Sequence, residues 1–185
     1  MSDAEALRRL LLERSVKFGD FVLSSGKHSS YYIDCRLSTM SAEGMVLIGR
    51  MGLAAIRAAG WRPKAVGGLT LGADPVAYAI AAASWGTDLE IDAFSVRKEA
   101  KGHGTGRQVE GNFNAGDDVV VVEDTITTGG SARRAIEAVE RAGGRVLGVL
   151  AVVDREEGGR EALEGGGVQV VALTTASELE LSRQG

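Results

Sequence analysis

The chain has 185 residues, 44% of them hydrophobic and 25% charged, with a formal net charge of −4 and one cysteine. This is ordinary globular composition, and the length suits a single domain over residues 1–185 that buries roughly 70% of its unfolded surface without disulfides or a structural metal. The acidic balance argues against a nucleic-acid partner, and no apolar run reaches the roughly 20 residues that would cross a membrane.

Residues 3–14 predict a short helix with Leu7, Leu10 and Leu11 on one face. The same stretch carries acids and an amphipathic pattern in place of a signal peptide's apolar core, and Cys35 has no partner cysteine in the chain, so a reducing cytoplasm is expected. Cys35 itself reads as a packed or bystander thiol. Residues 18–34 mix aromatic and polar side chains around Ser24-Ser25-Gly26, which predicts short irregular strands. Residues 41–59 predict a helix whose buried stripe is Met45, Ile48, Met51, Gly52, Ala55 and Ile56, stopped by Gly60. A strand at 65–69, an Ala-rich helix at 75–83 and a strand at 89–96 follow. Beyond them, strands are expected at 118–123, 145–153 and 168–173, with a helix at 132–142 after the first. Strands alternate with helices, which predicts a parallel sheet with helices on both faces and right-handed crossovers. The first forty residues break the alternation and are expected to form a small hood over the sheet's ligand edge.

Two segments carry the chemistry. Residues 119–131 run from four valines through Glu123-Asp124 to Thr125-Ile126-Thr127-Thr128-Gly129-Gly130-Ser131. The valines suit a strand buried on both faces, and the carboxyl edge of an open α/β sheet is where ligands bind. Hydroxyls, a glycine turn and the N-terminus of the next helix then converge on one anion. A triphosphate P-loop would need Gly-Lys-Ser/Thr and a dinucleotide fold Gly-x-Gly-x-x-Gly, and neither is present. Residues 97–107 carry Arg97, Lys98, Lys101 and Arg107 against one acid, Glu99, with Gly102, Gly104 and Gly106 at alternate positions. The glycines deny this stretch a stable helix or strand and predict a mobile basic loop. On charge alone a solvated surface loop with incidental charge is the favoured reading.

The first segment resembles the phosphoribosyl-pyrophosphate (PRPP) signature of type I phosphoribosyltransferases. The resemblance implies that family's fold: an α/β parallel sheet flanked by helices with a small N-terminal hood at about residues 1–40. It also implies that Glu123 and Asp124 hold the ribose hydroxyls, directly or through Mg²⁺ and water, with Asp124 among the catalytic residues. Thr125, Ile126, Thr127, Thr128, Gly129, Gly130 and Ser131 would wrap the 5-phosphate. No metal ligand set is assigned beyond Mg²⁺ near Glu123 and Asp124, held mainly by PRPP and water.

The basic loop, Arg-Lys-Glu-x-Lys-x-His-Gly, resembles the catalytic loop of orotate phosphoribosyltransferases. By that likeness Lys101 and His103 form a catalytic tip that reaches pyrophosphate in a neighbouring subunit, and Arg97 and Lys98 anchor its base and touch phosphate. His103 could relay a proton or be a spectator. Residues 21–34 resemble the hood that frames the orotate ring, bringing in Lys27, Tyr31 and Tyr32, and Thr127 is counted with them. Residues 153–158 resemble the segment whose arginine pairs with orotate, so Arg155 is expected to select the substrate. A forked guanidinium is the best match for a planar carboxylate, although Arg155 could instead pair with Glu156 or Glu157.

The likeness spans about residues 3–175 and implies the substrates orotate and PRPP, the cofactor Mg²⁺, and a homodimer. It departs from many relatives where Ser24 and Gly72 stand in place of lysines that contact PRPP. Asp74 could meet Mg²⁺ through water or simply begin the helix at Pro75. The alternatives are transfer to another nucleobase, or a PRPP-sensing regulator, which should add a basic face or a DNA-binding extension.

Overall fold

The computed structural model describes residues 1–22, 28–99 and 107–181. Along these residues run α1 (Asp3–Arg14), β1 (Val16–Val22), β2 (His28–Ile33), α2 (Arg36–Thr39), α3 (Ala42–Ala58), β3 (Ala65–Leu69) and α4 (Ala73–Ser84). Then come β4 (Asp92–Val96), β5 (Val109–Gly111), β6 (Asp118–Ile126), α5 (Gly130–Arg141), β7 (Arg145–Asp154), α6 (Gly159–Glu164) and β8 (Val170–Thr175). The central sheet has the order β5-β4-β3-β6-β7-β8, parallel throughout except for the edge strand β5. β1 and β2 form a separate antiparallel pair.

The valine run shows why this sheet is covered on both faces. Successive strand side chains point opposite ways, so Val120 and Val122 enter one core cluster, with residues of α1, α3 and α4, while Val119 and Val121 enter another with residues of α5. Local signals then fix the helix ends. Ser2 and Glu5 cap α1 reciprocally, the Ser2 hydroxyl accepting from Glu5 N at 3.2 Å and the Glu5 carboxylate from Ser2 N at 2.7 Å. Ser41 caps α3 by accepting from Gly44 N.

Several expectations shift. The stripe of α3 keeps Ile48, Gly52 and Ile56 buried and Met51 and Ala55 packed on the core, but it is wider than expected, with Leu47 and Leu53 buried and Met45 exposed, and α3 leans on α4 through Gly49 and Gly52. A Cβ at Gly49 would stand 2.5 Å from the Ala79 carbonyl, and one at Gly52 2.7 Å from the Ile80 side chain. The residues before β4 are not strand. Leu89 and Ile91 reach the core from a turn that Ser84 ties down, its Oγ accepting from Ile91 N at 2.9 Å. α2, β5 and α6 are additions, each of six residues or fewer.

Two features of this architecture position a site. β4 lies to one side of β3, whereas β6, β7 and β8 extend to the other, so the connections diverge between β3 and β6 and leave a crevice at their carboxyl ends. β6 also continues past the valines, with Glu123 still paired to Ala151 and Thr125 to Val153. Glu123 and Asp124 are therefore strand residues pointing to opposite faces of the sheet.

Candidate active site

A cavity of about 1410 Å³ opens at that crevice. The β3–α4 loop, the end of β6 and the turn into α5 form its floor and wall, and β1, β2 and the segment to Arg36 contribute from the hood side. Gly129 begins α5 in the left-handed conformation, φ 77°, with the Gly159 carbonyl only 3.0 Å from where a Cβ would sit. Glycine is required there, and its turn aims the unpaired first N–H groups of α5 into the cavity that Thr127, Thr128, Gly130 and Ser131 also line. Ile126 differs from its neighbours. It lines the cavity too, but its side chain is buried in the core and its carbonyl accepts from Arg155 N at 2.9 Å.

Glu123 is 6% exposed, and its Oε2 has no hydrogen-bond partner among the described residues. Burial, with the neighbouring Asp124 charge second, pushes its carboxyl up to about 9. Burial also raises Asp124, opposed by hydrogen bonding to Glu123 and by Thr125 N, which donates to Oδ1 at 2.8 Å. Asp124 lies flat against Gly72, where a Cβ would come within 2.7 Å of the carboxylate. A side chain at position 72 would displace it. Burial thus favours a proton on the pair, whose oxygens can meet hydroxyl donors or a cation.

A carboxyl raised on folding contributes stability that is present below its ordinary range and lost as pH rises through about 9. Against an unfolded value of 4.5, this costs the ligand-free protein roughly 3 kcal/mol near neutral pH. Glu123→Gln, neutral at all pH, should raise the thermal midpoint at about pH 8 by several degrees and flatten its decline between about pH 5 and pH 9. PRPP use should fall in the same variant. A midpoint and pH profile unchanged from the parent would show that Glu123 is hydrated and ionised.

Arg155 is 7% exposed and stacks over Tyr31, 4.8 Å from the ring centroid. Its Nη2 lies 2.7 Å from Glu157 Oε1, yet the approach is misaligned, and neither Nη2 nor Nε has a hydrogen-bond partner among the described residues. Both Arg155 and Glu157 line the cavity.

The other expected residues divide. Tyr32 lines the cavity beside Phe21, whereas Tyr31, one residue earlier on the opposite face of β2, supports Arg155 from behind. Lys98 reaches the cavity. Arg97 does not line it and pairs instead with Glu110 of β5 at 3.1 Å. Lys27, Lys101 and His103 lie outside the described residues, as does Ser24. Asp74 takes the helix-start role in the first turn of α4 and accepts from Ser95 Oγ at 2.7 Å.

Lys17, Arg36 and Arg134 also line the cavity and were missed from sequence. Arg134 had a signal, standing three residues beyond Ser131 on the same helix face. Lys17 and Arg36 had none, because only the folding of the hood over the sheet brings them there. Cys35 is more than a bystander. It lines the cavity, and its Sγ accepts from Thr125 Oγ1 at 3.0 Å, joining the hood to the motif strand.

Among the described residues no group of three or more His, Cys, Asp and Glu side chains is placed to hold a metal by itself. The donor set fits Mg²⁺, which keeps waters and takes one or two carboxylates together with substrate oxygens; the orphaned Glu123 Oε2 and the Asp124 carboxylate could supply the protein's share.

Residues 46–165 match the profile of the phosphoribosyl transferase domain family. The orotate phosphoribosyltransferase of Aquifex aeolicus (strain VF5) is 50% identical over 182 residues, covering 97% of this chain and 98% of the relative. Among solved structures, Mycobacterium tuberculosis H37Rv orotate phosphoribosyltransferase in complex with Fe(III) dicitrate superposes with a TM-score of 0.86 at 44% identity, covering 97% of this chain and 100% of that one. The same enzyme in complex with 5-phospho-α-D-ribosyl 1-diphosphate, which is PRPP, gives 0.82 at 40% identity over 97% and 100% of the two chains.

Proposed function

The chain belongs to the orotate phosphoribosyltransferase family, and from that premise we propose how its own residues carry the reaction. It is a pentosyltransferase of pyrimidine synthesis that transfers ribose 5-phosphate from PRPP to a ring nitrogen of orotate, giving orotidine 5-monophosphate and pyrophosphate. The bond from the sugar carbon to the diphosphate breaks with its electron pair leaving on oxygen, and the ring nitrogen supplies the new pair. The sugar carbon is cation-like between these events, so catalysis consists of positioning and of stabilising separated charge.

The observation that carries the residue assignment is the unpartnered Nε and Nη2 edge of Arg155, buried beside the same cavity as the Thr127–Ser131 turn. One end offers a fork for a carboxylate and the other a cradle for a phosphate. In this reading Glu123 and Asp124 accept from the ribose hydroxyls, and the N–H groups and hydroxyls of residues 125–131 donate to the 5-phosphate. Lys98 faces the diphosphate. Lys101 and His103 add positive charge there as the diphosphate departs. Glu123 and Asp124 would hold Mg²⁺ together with substrate oxygens, and the ion would supply positive charge against the diphosphate. Lys17, Arg36 and Arg134 offset the missing lysines at Ser24 and Gly72 by bringing positive charge from elsewhere in the fold.

The whole chain works as one domain, with residues 1–40 as its hood. It acts as a homodimer whose basic loops reach the partner's cavity, and exposed Leu37, Met40, Leu71 and Tyr78 offer apolar surface for such a partner. Among the described residues no helix is long and apolar enough to cross a membrane. The reduced, buried Cys35 is consistent with a cytoplasmic setting.

A steady-state assay with PRPP and Mg²⁺ should show orotate consumed and uracil, hypoxanthine and adenine scarcely used, because a base without a carboxylate leaves the Arg155 fork unfilled. Faster turnover of hypoxanthine than of orotate would overturn the base assignment.

A further inference from the structure

Arg155 already has an acid beside it, and the contact is a poor one. The loop carrying both residues is pinned at several points. Arg155 N donates to the Ile126 carbonyl at 2.9 Å, Glu156 N to Asp154 Oδ1 at 2.9 Å, and Ser177 N to Glu156 Oε2 at 2.7 Å. Asp154 is held in turn by Arg160 Nε at 2.9 Å. Glu156 adopts φ 57°, a conformation that costs a non-glycine residue energy and persists because these contacts impose it. The backbone therefore fixes where Arg155 and Glu157 start, and both side chains reach the same cavity.

Their environments are unequal. The Arg155 side chain is 6% exposed and the Glu157 side chain 29%, so the glutamate has water to move into and the arginine does not. Glu157 Oε1 approaches one nitrogen at 2.7 Å without hydrogen-bond alignment and leaves Nε bare. A well-formed pair looks different. In the hood, Arg36 donates through Nε and Nη2 to the two oxygens of Asp34 at 2.8 and 3.0 Å. A carboxylate free to approach side-on can give Arg155 the same two aligned bonds, which Glu157, tethered two residues away on a pinned loop, does not.

We propose that Glu157 is a resident carboxylate that covers the Arg155 fork in the absence of substrate and is displaced by the carboxylate of the incoming base. It thereby weakens orotate binding without acting on the PRPP side. This rests on the reading of Arg155 as the group that selects orotate. Its function is to keep a buried guanidinium neutralised between turnovers, at some cost in substrate affinity. A base without a carboxylate has no aligned pair to offer in exchange and leaves Glu157 in place.

The test is Glu157→Gln, with Glu157→Asp beside it. The amide removes the competing charge at nearly constant size, so the orotate KM should fall about three- to tenfold while kcat and the PRPP KM stay within about twofold. Glu157→Asp keeps the charge and should lie nearer the parent. In an Arg155→Ala background the gain from Glu157→Gln should vanish, since it acts through the guanidinium. An orotate KM that is unchanged or raised in Glu157→Gln overturns the proposal, as does an equal gain in the Arg155→Ala background. A lowered thermal midpoint accompanied by a raised orotate KM would show instead that Glu157 supports Arg155 in its productive position, and would overturn it too. If Arg155→Ala alone leaves the orotate KM unmoved, the underlying reading of Arg155 fails. If that substitution raises the KM and Glu157→Gln does not lower it, only the displacement by orotate fails.

Discussion

Arg155→Ala should raise the orotate KM by about a hundredfold while leaving the PRPP KM within about twofold, since truncating one partner of a buried charge-assisted pair costs roughly 2–5 kcal/mol. The substitution removes a buried donor edge, Nε with Nη2, that has no hydrogen-bond partner among the described residues and lies at the cavity. Arg155→Lys should restore little. An ammonium brings charge but no planar fork, and it loses the stacking on Tyr31. The turn at Gly129 and the acids on β6, proposed above to hold PRPP, lie on other elements, which is why the two KM values should separate. Parallel rises in both would mean that Arg155 holds up the cavity as a whole.

Lys101→Ala and Asp124→Ala should each be nearly inactive alone, yet recover together about a quarter of the parent activity after joint unfolding and refolding. The arithmetic follows from a loop that acts in trans. Random pairing makes half of the dimers hybrid, and each hybrid has one site carrying both lesions and one carrying neither. A loop acting within its own subunit places one lesion in every site and gives no recovery. Confirmed subunit exchange without recovery would sink the trans arrangement, and a monomer by sedimentation would remove its premise.

Much of the fold was legible because its signals are local. The capping box at Ser2, the valine run and the β3 strand over residues 65–69 each depend on neighbours within a turn or two, and the expected bounds of α1 and β3 coincide with those observed. The misplaced features were those set by distant contacts. Met45 of α3 stayed exposed while Leu47 and Leu53 joined the core, and the residues before β4 entered the core from a turn held by Ser84. β5 pairs three residues on the edge of the sheet and carries one buried valine, too little for any periodic pattern.

The site divides along the same line. The sequence by itself determined the strand, the glycine turn into the next helix and the pairing of two acids with an apolar strand, because turn chemistry and strand alternation are written in consecutive residues. It did not determine that Glu123 and Asp124 point to opposite faces, since that required knowing that β6 remains paired with β7 beyond the valines. Nor could it separate Tyr31 beneath Arg155 from Tyr32 in the cavity, place Arg97 on Glu110, or bring Lys17 and Arg36 over the β6 edge. The alternatives left open for Arg155 were both electrostatically reasonable along the chain. Only the tertiary structure showed the guanidinium buried beside a misaligned Glu157 with two donors unpartnered among the described residues: a charge's surroundings are set by the elements that exclude water around it, and those elements lie far away in sequence.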